Sequence, residues 1–233
     1  MTEPLSPRAG TPRARTIREM FSRVAPRYDL MNRVLSLGLD SRWRKLAARQ
    51  MLEGLRDGPL LDLGCGSGDL LCLLARKRPS VGGDFCPEML ELAARRKTGA
   101  RLVNLDASKL PFASSSLSGI ASAFVFRNLE DRARVIAECH RCLLPGGRLI
   151  VLEFGMPDSA LARLFFRANL RLLMPLASRL LSSDGAAYGY LGASIEHFGR
   201  EVDLPGEMKA GGFTSVSQIP LMAGAIRLYR AQA

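Results

Sequence analysis

Short apolar runs alternate with helically spaced stretches from about Leu60 to Phe154, and this alternation is the main fold signal of the chain. The runs are LLDL (60–63), SVGGD (80–84), LVNLD (102–106), LSGIASAFVF (117–126) and RLIVLEF (148–154). Between them lie LLCLLARKRP (70–79), a helix opening at Pro87, and a helix from about Glu130 to Leu144 that ends at the Pro145-Gly146-Gly147 turn. Repeated β and α units of this length predict a parallel sheet covered by helices on both faces. Near the end, GFTSVSQIPLMAGAIRLYRA (212–231) gives two strand-like runs that suit a closing antiparallel hairpin at the sheet edge. The predicted fold is therefore α/β and Rossmann-like. It has seven mostly parallel strands, the seventh antiparallel.

Outside that core the pattern changes. Residues 1–16 are polar, Pro-rich and basic, and read as a disordered tail. Residues 17–58 read as an N-terminal helical cap, in which 18–52 forms two helical pieces broken near Pro26 and Gly38. The core occupies 59–233 and carries a helical insertion at about 158–185. In that insertion Arg163, Arg167 and Arg171 share one helical face, Leu161, Leu164, Phe165, Leu172 and Met174 contribute to an apolar surface, and Pro175 predicts a kink. Such a helix suits a membrane surface, and equally suits packing over the sheet.

The candidate chemistry starts at LLDLGCGSGD (60–69). Glycines at 64, 66 and 68 let the chain leave a strand and enter a helix with no Cβ in the way of a close ligand. A dinucleotide fingerprint requires a small residue at position 69, which here is Asp69. The run instead resembles motif I of S-adenosylmethionine (SAM) dependent methyltransferases, whose ligand carries an amino-acid ammonium suited to carboxylate and carbonyl groups. Asp84 lies 22 residues after Asp62, at the tip of the second strand, where an acid accepts from ribose hydroxyls. Asp106 follows the third strand, placed to accept from the adenine amino group while the Ala107 amide donates to a ring nitrogen. A helix cap or a solvated loop is the plainer alternative for either acid. Cys65, Ser67, Phe85 and Ala123 complete the expected cofactor-binding set of Asp62, Gly64, Cys65, Gly66, Ser67, Asp84, Phe85, Asp106, Ala107 and Ala123.

Composition narrows the setting. No apolar run approaches the ~20 residues that span a bilayer, and no signal-peptide core precedes the tail. Five scattered cysteines point to reduced thiols in a cytoplasm, and Cys139 and Cys142 lack a second pair to complete a zinc site, so no metal is expected. The net charge is +11, of which +7 falls within residues 1–56, and a basic chain attracts RNA, DNA or anionic lipid. Aromatic residues make up only 6% and do not interleave with the basic clusters, which argues against a single-strand stacking platform.

Four stretches together resemble the ubiquinone/menaquinone biosynthesis C-methyltransferase family over about residues 17–229. They are MFSRVAPRYDLMNRVLSLGLDSRWRK (20–45); the SAM loop with DASKLPF; AFVFRN with RVIAECHRCLLPGGRLIVLEFGMP; and AYGYLGASIEHF (187–198) followed by a late GGF. Two positions depart from the family pattern: Val125 and Phe126 stand where Gly-Leu is usual, and LMAGA (221–225) replaces a late LTGG-like run. His197 matches no position of the pattern and reads as a surface or packing residue.

The resemblance implies a class I methyltransferase fold, SAM as methyl donor and carbon methylation of a prenylated quinol, with demethylmenaquinol favoured and a benzoquinol of ubiquinone synthesis as the alternative. The acceptor has to be the reduced quinol, whose hydroxyl on losing its proton pushes electron density onto the ring carbon. Arg127 then stabilises the developing phenolate, Asn128 orients a quinol oxygen, and Tyr28 closes over the site or relays a proton. A helix-capping ion pair is the structural alternative for Arg127, and core packing for Tyr28. The lipid tail implies a cytoplasmic enzyme that visits the inner face of an anionic membrane transiently; a homodimer is left open. Two other functions compete. An RNA methyltransferase fits the charge, but the base-stacking N-P-P-Y-like tetrapeptide is missing after strand four. A protein that holds SAM without methyl transfer requires a blocked acceptor face.

Overall fold

The computed structural model describes residues 12–25, 28–164, 166–168 and 185–233. Seven strands form one sheet: β1 Leu60–Leu63, β2 Ser80–Asp84, β3 Arg101–Asn104, β4 Leu117–Ala123, β5 Leu143–Phe154, β6 Ser217–Leu221 and β7 Ile226–Gln232. Their order is β3-β2-β1-β4-β5-β7-β6. Strands β1 to β5 pair in parallel, and β7 runs antiparallel to both β5 and β6. The order reverses between β1 and β4, which opens a crevice at their carboxyl ends. The expected seven strands and antiparallel β7 are present, with β6 at the edge.

The helices are α1 Pro12–Val24, α2 Tyr28–Leu35, α3 Asp40–Leu52, α4 Asp69–Ala75, α5 Pro87–Arg95, α6 Arg132–Cys142, α7 Gly185–Glu201 and α8 Leu204–Ala210. Residues 160–164 and 166–168 are also helical.

The core divides by strand alternation. In β5, Leu149 and Val151 face one layer with Leu61, Leu63, Ile120, Ile136 and Phe198, while Ile150 and Leu152 face the other with Ala47, Met51, Leu60 and Leu74. The first layer is roofed by α6, α7 and α8, the second by α3 and α4. Because Asp62 follows Leu61 in β1, it belongs to the α3 side; Glu153, following Leu152 in β5, belongs to the α7 side.

Several boundaries differ from the sequence expectation. The described residues of the cap form three helices, α1 to α3, rather than two. Helix α1, Pro12–Val24, reaches into the stretch 1–16 read as tail. Strand β4 stops at Ala123 rather than at 126, since Phe124 takes a left-handed φ of 64° and Phe126–Asn128 closes a 3₁₀ turn. Strand β5 begins early, at Leu143, and the Pro145-Gly146-Gly147 stretch sits in a register shift between Leu117↔Leu143 and Gly119↔Arg148. Of the basic insertion helix, Arg171, Leu172, Met174 and Pro175 lie outside the described residues, as does Phe165.

One buried arginine joins cap to core. Arg148 of β5 donates through Nη1 to the carbonyls of Gln50 at 2.7 Å, Met51 at 3.0 Å and Glu53 at 2.8 Å, closing the C-terminus of α3. Those carbonyls have no helical partner of their own, and the negative end of the helix dipole favours the cation. Arg148→Ala is expected to lower stability by about 2–4 kcal/mol, because buried acceptors lose a charged donor. Urea unfolding followed by the fluorescence of Trp43, the single tryptophan, measures it; a loss under about 0.5 kcal/mol contradicts the assignment.

Candidate active site

The loop after β1 is built from left-handed glycines: Gly64 at φ 69°, Gly66 at 53° and Gly68 at 88°. A Cβ on Gly64 would overlap the Val125 side chain, so position 64 needs glycine for space as well as for backbone geometry. The Gly64 and Cys65 amides donate to the Gly83 carbonyl at 2.7 and 3.0 Å, which seats the loop on β2. Asp84 then pins it from the end of that strand: Oδ2 accepts from the Gly66 amide at 2.8 Å and Oδ1 from the Cys86 amide at 2.9 Å. Burial pushes the Asp84 carboxyl up, and the Cys86, Gly66 and Phe85 amides pull it back.

Asp62 is buried under this loop. Burial raises its pKa to about 7, opposed by the charge of Arg44, and its Oδ2 has no hydrogen-bond partner. An unpaired buried carboxylate oxygen is costly, so it marks a place for a donor from a ligand. Asp62 shares a small cleft with Gly64, Cys65, Gly66, Ser67 and Ala123, and with Arg44, Asp69 and Leu70, which the sequence reading did not include. The Cys65 thiol is buried and pushed up by desolvation, so it is a wall of the cleft rather than a nucleophile.

Other expected cofactor residues lie outside that cleft. Phe85 packs edge-on against Phe21 of α1, with ring centroids 6.5 Å apart. Asp106 is exposed in a turn and uses Oδ1 to accept from the Ser108 amide and hydroxyl, each at 2.8 Å, which is the solvated-loop alternative. Ala107 is half-buried against the core. Asn104, not expected from the sequence, donates to the Asp84 carbonyl at 2.9 Å and holds the ends of β2 and β3 together.

Arg127 and Asn128 follow β4, on the far side of the crevice. The Arg127 guanidinium is paired with the fully buried Glu153 at 3.0 Å, also donates to the Phe124 carbonyl, and lies 5.2 Å from the Phe154 ring centroid. Its backbone amide donates to Glu153 Oε2 at 3.2 Å, while its Nε is buried without a partner. The ion-pair alternative is thus realised, and the buried Nε–H remains unused. Asn128 Oδ1 accepts from the Tyr190 hydroxyl of α7 at 3.2 Å. A lone acid in the apolar run RLIVLEF was the sequence signal for Glu153, since a buried strand tolerates a carboxylate only with a partner.

Tyr28 opens α2, and its side chain lies outside the described residues. Its neighbour Asp29 ties the cap to the loop: it accepts from Ser67 Oγ at 2.5 Å and from Arg96 Nη2 at 2.7 Å. Arg96 also reaches Asp69 at 2.7 Å and donates from Nε to the Ser67 carbonyl at 2.5 Å. His197 is exposed and pairs with Glu201 at 3.1 Å, a surface role. Cys139 and Cys142 are buried free thiols of α6.

A sheet of this order with an antiparallel β7, a glycine loop after β1 and an acid closing it from β2 define a class I SAM-dependent methyltransferase. The residues present fit the cofactor, as the unpaired Asp62 oxygen and the glycine cradle above it show. The sequence profile of the ubiE/COQ5 methyltransferase family matches residues 10–232, and the chain belongs to that family. A demethylmenaquinone methyltransferase of Deinococcus radiodurans is 41% identical over 211 residues, covering 86% of each chain. A demethylmenaquinone methyltransferase of Thermus thermophilus is 41% identical over 203 residues, 84% of this chain and 91% of that one. The ubiquinone/menaquinone biosynthesis C-methyltransferase UbiE of Syntrophotalea carbinolica is 40% identical over 220 residues, 91% and 92% of the two chains. Among solved structures, a SAM-dependent methyltransferase of Thermotoga maritima shares the fold with a TM-score of 0.59 at 19% identity, over 92% of this chain and 98% of that one.

Two outcomes follow from this geometry. A carboxyl that titrates at about 7 must ionise to receive an ammonium, so SAM affinity is expected to fall about tenfold per pH unit below that value. Binding at pH 6 should release a proton, seen in calorimetry across buffers of different ionisation enthalpy, and Asp62→Asn should flatten the profile from pH 5.5 to 7.5. The raised pKa also means that the ligand-free fold holds this proton more tightly than the unfolded chain, so its contribution to stability declines from about pH 4 to about 7. Separately, Arg96→Ala should cost at most about 1 kcal/mol globally, since the pair is partly exposed, yet speed amide exchange in α2 about fivefold by releasing Asp29. Unchanged exchange there would show that the cap is held by other contacts.

Proposed function

We propose that this chain methylates a ring carbon of a prenylated quinol, demethylmenaquinol first, with SAM as donor. The observation that carries the reading is 41% identity, over most of the chain, to two demethylmenaquinone methyltransferases. A benzoquinol acceptor is the second reading, favoured by the 40% identity to a relative named for both quinone pathways.

SAM supplies a methyl group already activated by its sulfonium, so the protein's task is alignment and charge. Asp62 and the loop amides hold the cofactor at one side of the crevice. Asp84, Phe85, Asp106, Ala107 and Ala123 belong to the same proposed set, with Asp84 acting through the loop as much as on the ribose. On the other side, Arg127 is kept in place by Glu153, and its unpartnered buried Nε–H supports a role as donor to the acceptor's phenolate oxygen. Asn128, fixed through Oδ1 by Tyr190, presents its NH2 to the second oxygen. Tyr28 keeps its proposed place as a cover or proton relay. The products are the methylated quinol, S-adenosylhomocysteine and one proton.

The departures from the family pattern resolve differently. Phe126 is fully buried in the core layer under α6, so it offers no side chain to the acceptor, while Val125 is half-buried against Gly64. Met222 is exposed, at a left-handed φ of 48°.

A membrane-surface role rests on Leu30, Leu161, Leu164 and Met222, all exposed. The Asp158 amide donates to the Ala223 carbonyl at 3.1 Å, which brings the helix bearing Leu161 and Leu164 beside Met222 at the carboxyl edge of the sheet. Arg167 instead faces Glu196 of α7 at 3.3 Å, which leaves Arg163 as the outward-facing arginine of the two described. No helix of the described residues is long and apolar enough to cross a membrane.

The deciding assay supplies labelled SAM with reduced demethylmenaquinol, reduced benzoquinol precursor and RNA in parallel. Label in the naphthoquinol is expected; label in RNA alone overturns the proposal. Leu161→Ser with Leu164→Ser should cut binding to anionic vesicles and activity on long-tailed quinol, while a short-tailed soluble quinol is turned over as before. Equal losses on both would make this helix a packing element.

A further inference from the structure

We propose that Arg44 binds the carboxylate of SAM's amino-acid end, so that Arg44 and Asp62 together form a receptor for a zwitterion; this rests on the cleft being the SAM site. The relation of the two residues follows from the sheet. Leu60 and Asp62 point to the face that α3 covers, and Arg44 lies on the buried face of α3 with Ala47, Ala48 and Met51. Both line the cleft under the glycine loop. Arg44 is only 6% exposed, and Asp62 only 1%.

Two buried opposite charges in one cleft ordinarily close on each other, because each has lost its hydration. These do not: Arg44 pairs with Asp40 at 2.7 Å, through Nη1, and Asp62 Oδ2 has no partner. Arg44 is held in this posture from two sides. Asp40 is itself fixed by the Ser36 hydroxyl at 3.0 Å, and the guanidinium carbon lies 5.3 Å from the Phe124 ring centroid. Phe124 is displayed there by its left-handed backbone and backed by Trp43 and Phe154. With Nη1 committed to Asp40, the remaining edge of the planar fork is free for a second carboxylate. A ligand bearing ammonium and carboxylate on one carbon satisfies Asp62 and Arg44 at once, which neither an adenosine nor a simple amine does.

The test is calorimetric and does not need turnover. Wild-type protein and Arg44→Gln are titrated with SAM, with decarboxylated SAM, which keeps adenosine, sulfonium and amine, and with methylthioadenosine. Wild type is expected to prefer SAM over decarboxylated SAM. Arg44→Gln should lose about 10- to 100-fold for SAM, the range of a charged hydrogen-bonded contact, and about twofold or less for decarboxylated SAM. Asp40→Asn removes the ion pair but keeps the guanidinium, and should retain the preference; thermal unfolding verifies that both variants are folded. Equal losses for both ligands in Arg44→Gln, no preference in wild type, or an Asp40→Asn variant that reproduces Arg44→Gln in full would each overturn the proposal. Wild type binding none of the three would overturn the SAM-site reading itself, and this inference with it.

Discussion

Successive side chains in β1 and β5 leave the sheet on opposite faces, so Asp62 and Glu153 are committed to opposite layers of the molecule. Each is a carboxylate in an otherwise apolar strand, and each lies near the carboxyl end where the crevice opens. Asp62 meets the layer roofed by α3 and lacks a closed ion pair. Glu153 meets the layer roofed by α7 and accepts from the Arg127 guanidinium, from the Phe154 amide at 2.8 Å and from the Arg127 amide. One site is left electrostatically open and the other locked. That asymmetry suits a reaction with a charged donor on one side and an acceptor that gains charge on the other.

The two halves are joined by aromatic rings. Phe124 and Phe154 lie with centroids 4.9 Å apart, Arg44 against the first and Arg127 against the second. The left-handed turn at Phe124, of order 1–3 kcal/mol for a bulky residue, is offset by the Leu152 carbonyl that accepts its amide at 2.7 Å and by the ring's contacts. Such a turn ends β4 before the chain can continue as a strand. The polar pair Arg127-Asn128 then enters a 3₁₀ turn at the mouth instead of running on in the sheet. Backbone strain and side-chain placement are one feature here.

How much of this was legible in the sequence depends on the distance between partners. Asp62, the glycines and Asp84 sit within one βαβ unit, and their local spacing nearly determines their geometry: the glycines turn the loop, and Asp84 accepts from the Gly66 and Cys86 amides. The strand alternation and the terminal hairpin were equally local. Asp29 and Arg96 were missed because they lie 67 residues apart in sequence, and Arg44 because its i,i+4 pair with Asp40 is an ordinary helical charge pattern. Arg127 was found but given a freer side chain than it has, since nothing in RLIVLEF says which basic group Glu153 takes. Strand β4 ends at Ala123 rather than at 126, so the alternation of the run LSGIASAFVF does not place the side chains of its last three residues. Helix α8 was missed because LPGEMKA carries proline and glycine, yet Asp203 caps it by accepting from the Gly206 amide at 3.1 Å.

The positive charge of the N-terminal third acquires a different meaning from this arrangement. It reads in sequence as a polyanion-binding surface, yet Arg44 is buried, pairs with Asp40 and lies against an aromatic face. Beyond the cap, Arg96 and Arg127 are likewise held by Asp29, Asp69 and Glu153 around the crevice. Charges held in this way contribute little to a long-range field, because each is neutralised within a few ångströms. The cap is fastened to the cofactor loop through Asp29 and Ser67 and to the sheet through Arg148, so a ligand that orders the loop also orders the cap. The contacts that order the loop and those that order the cap are then one set, and stabilising the first stabilises the second.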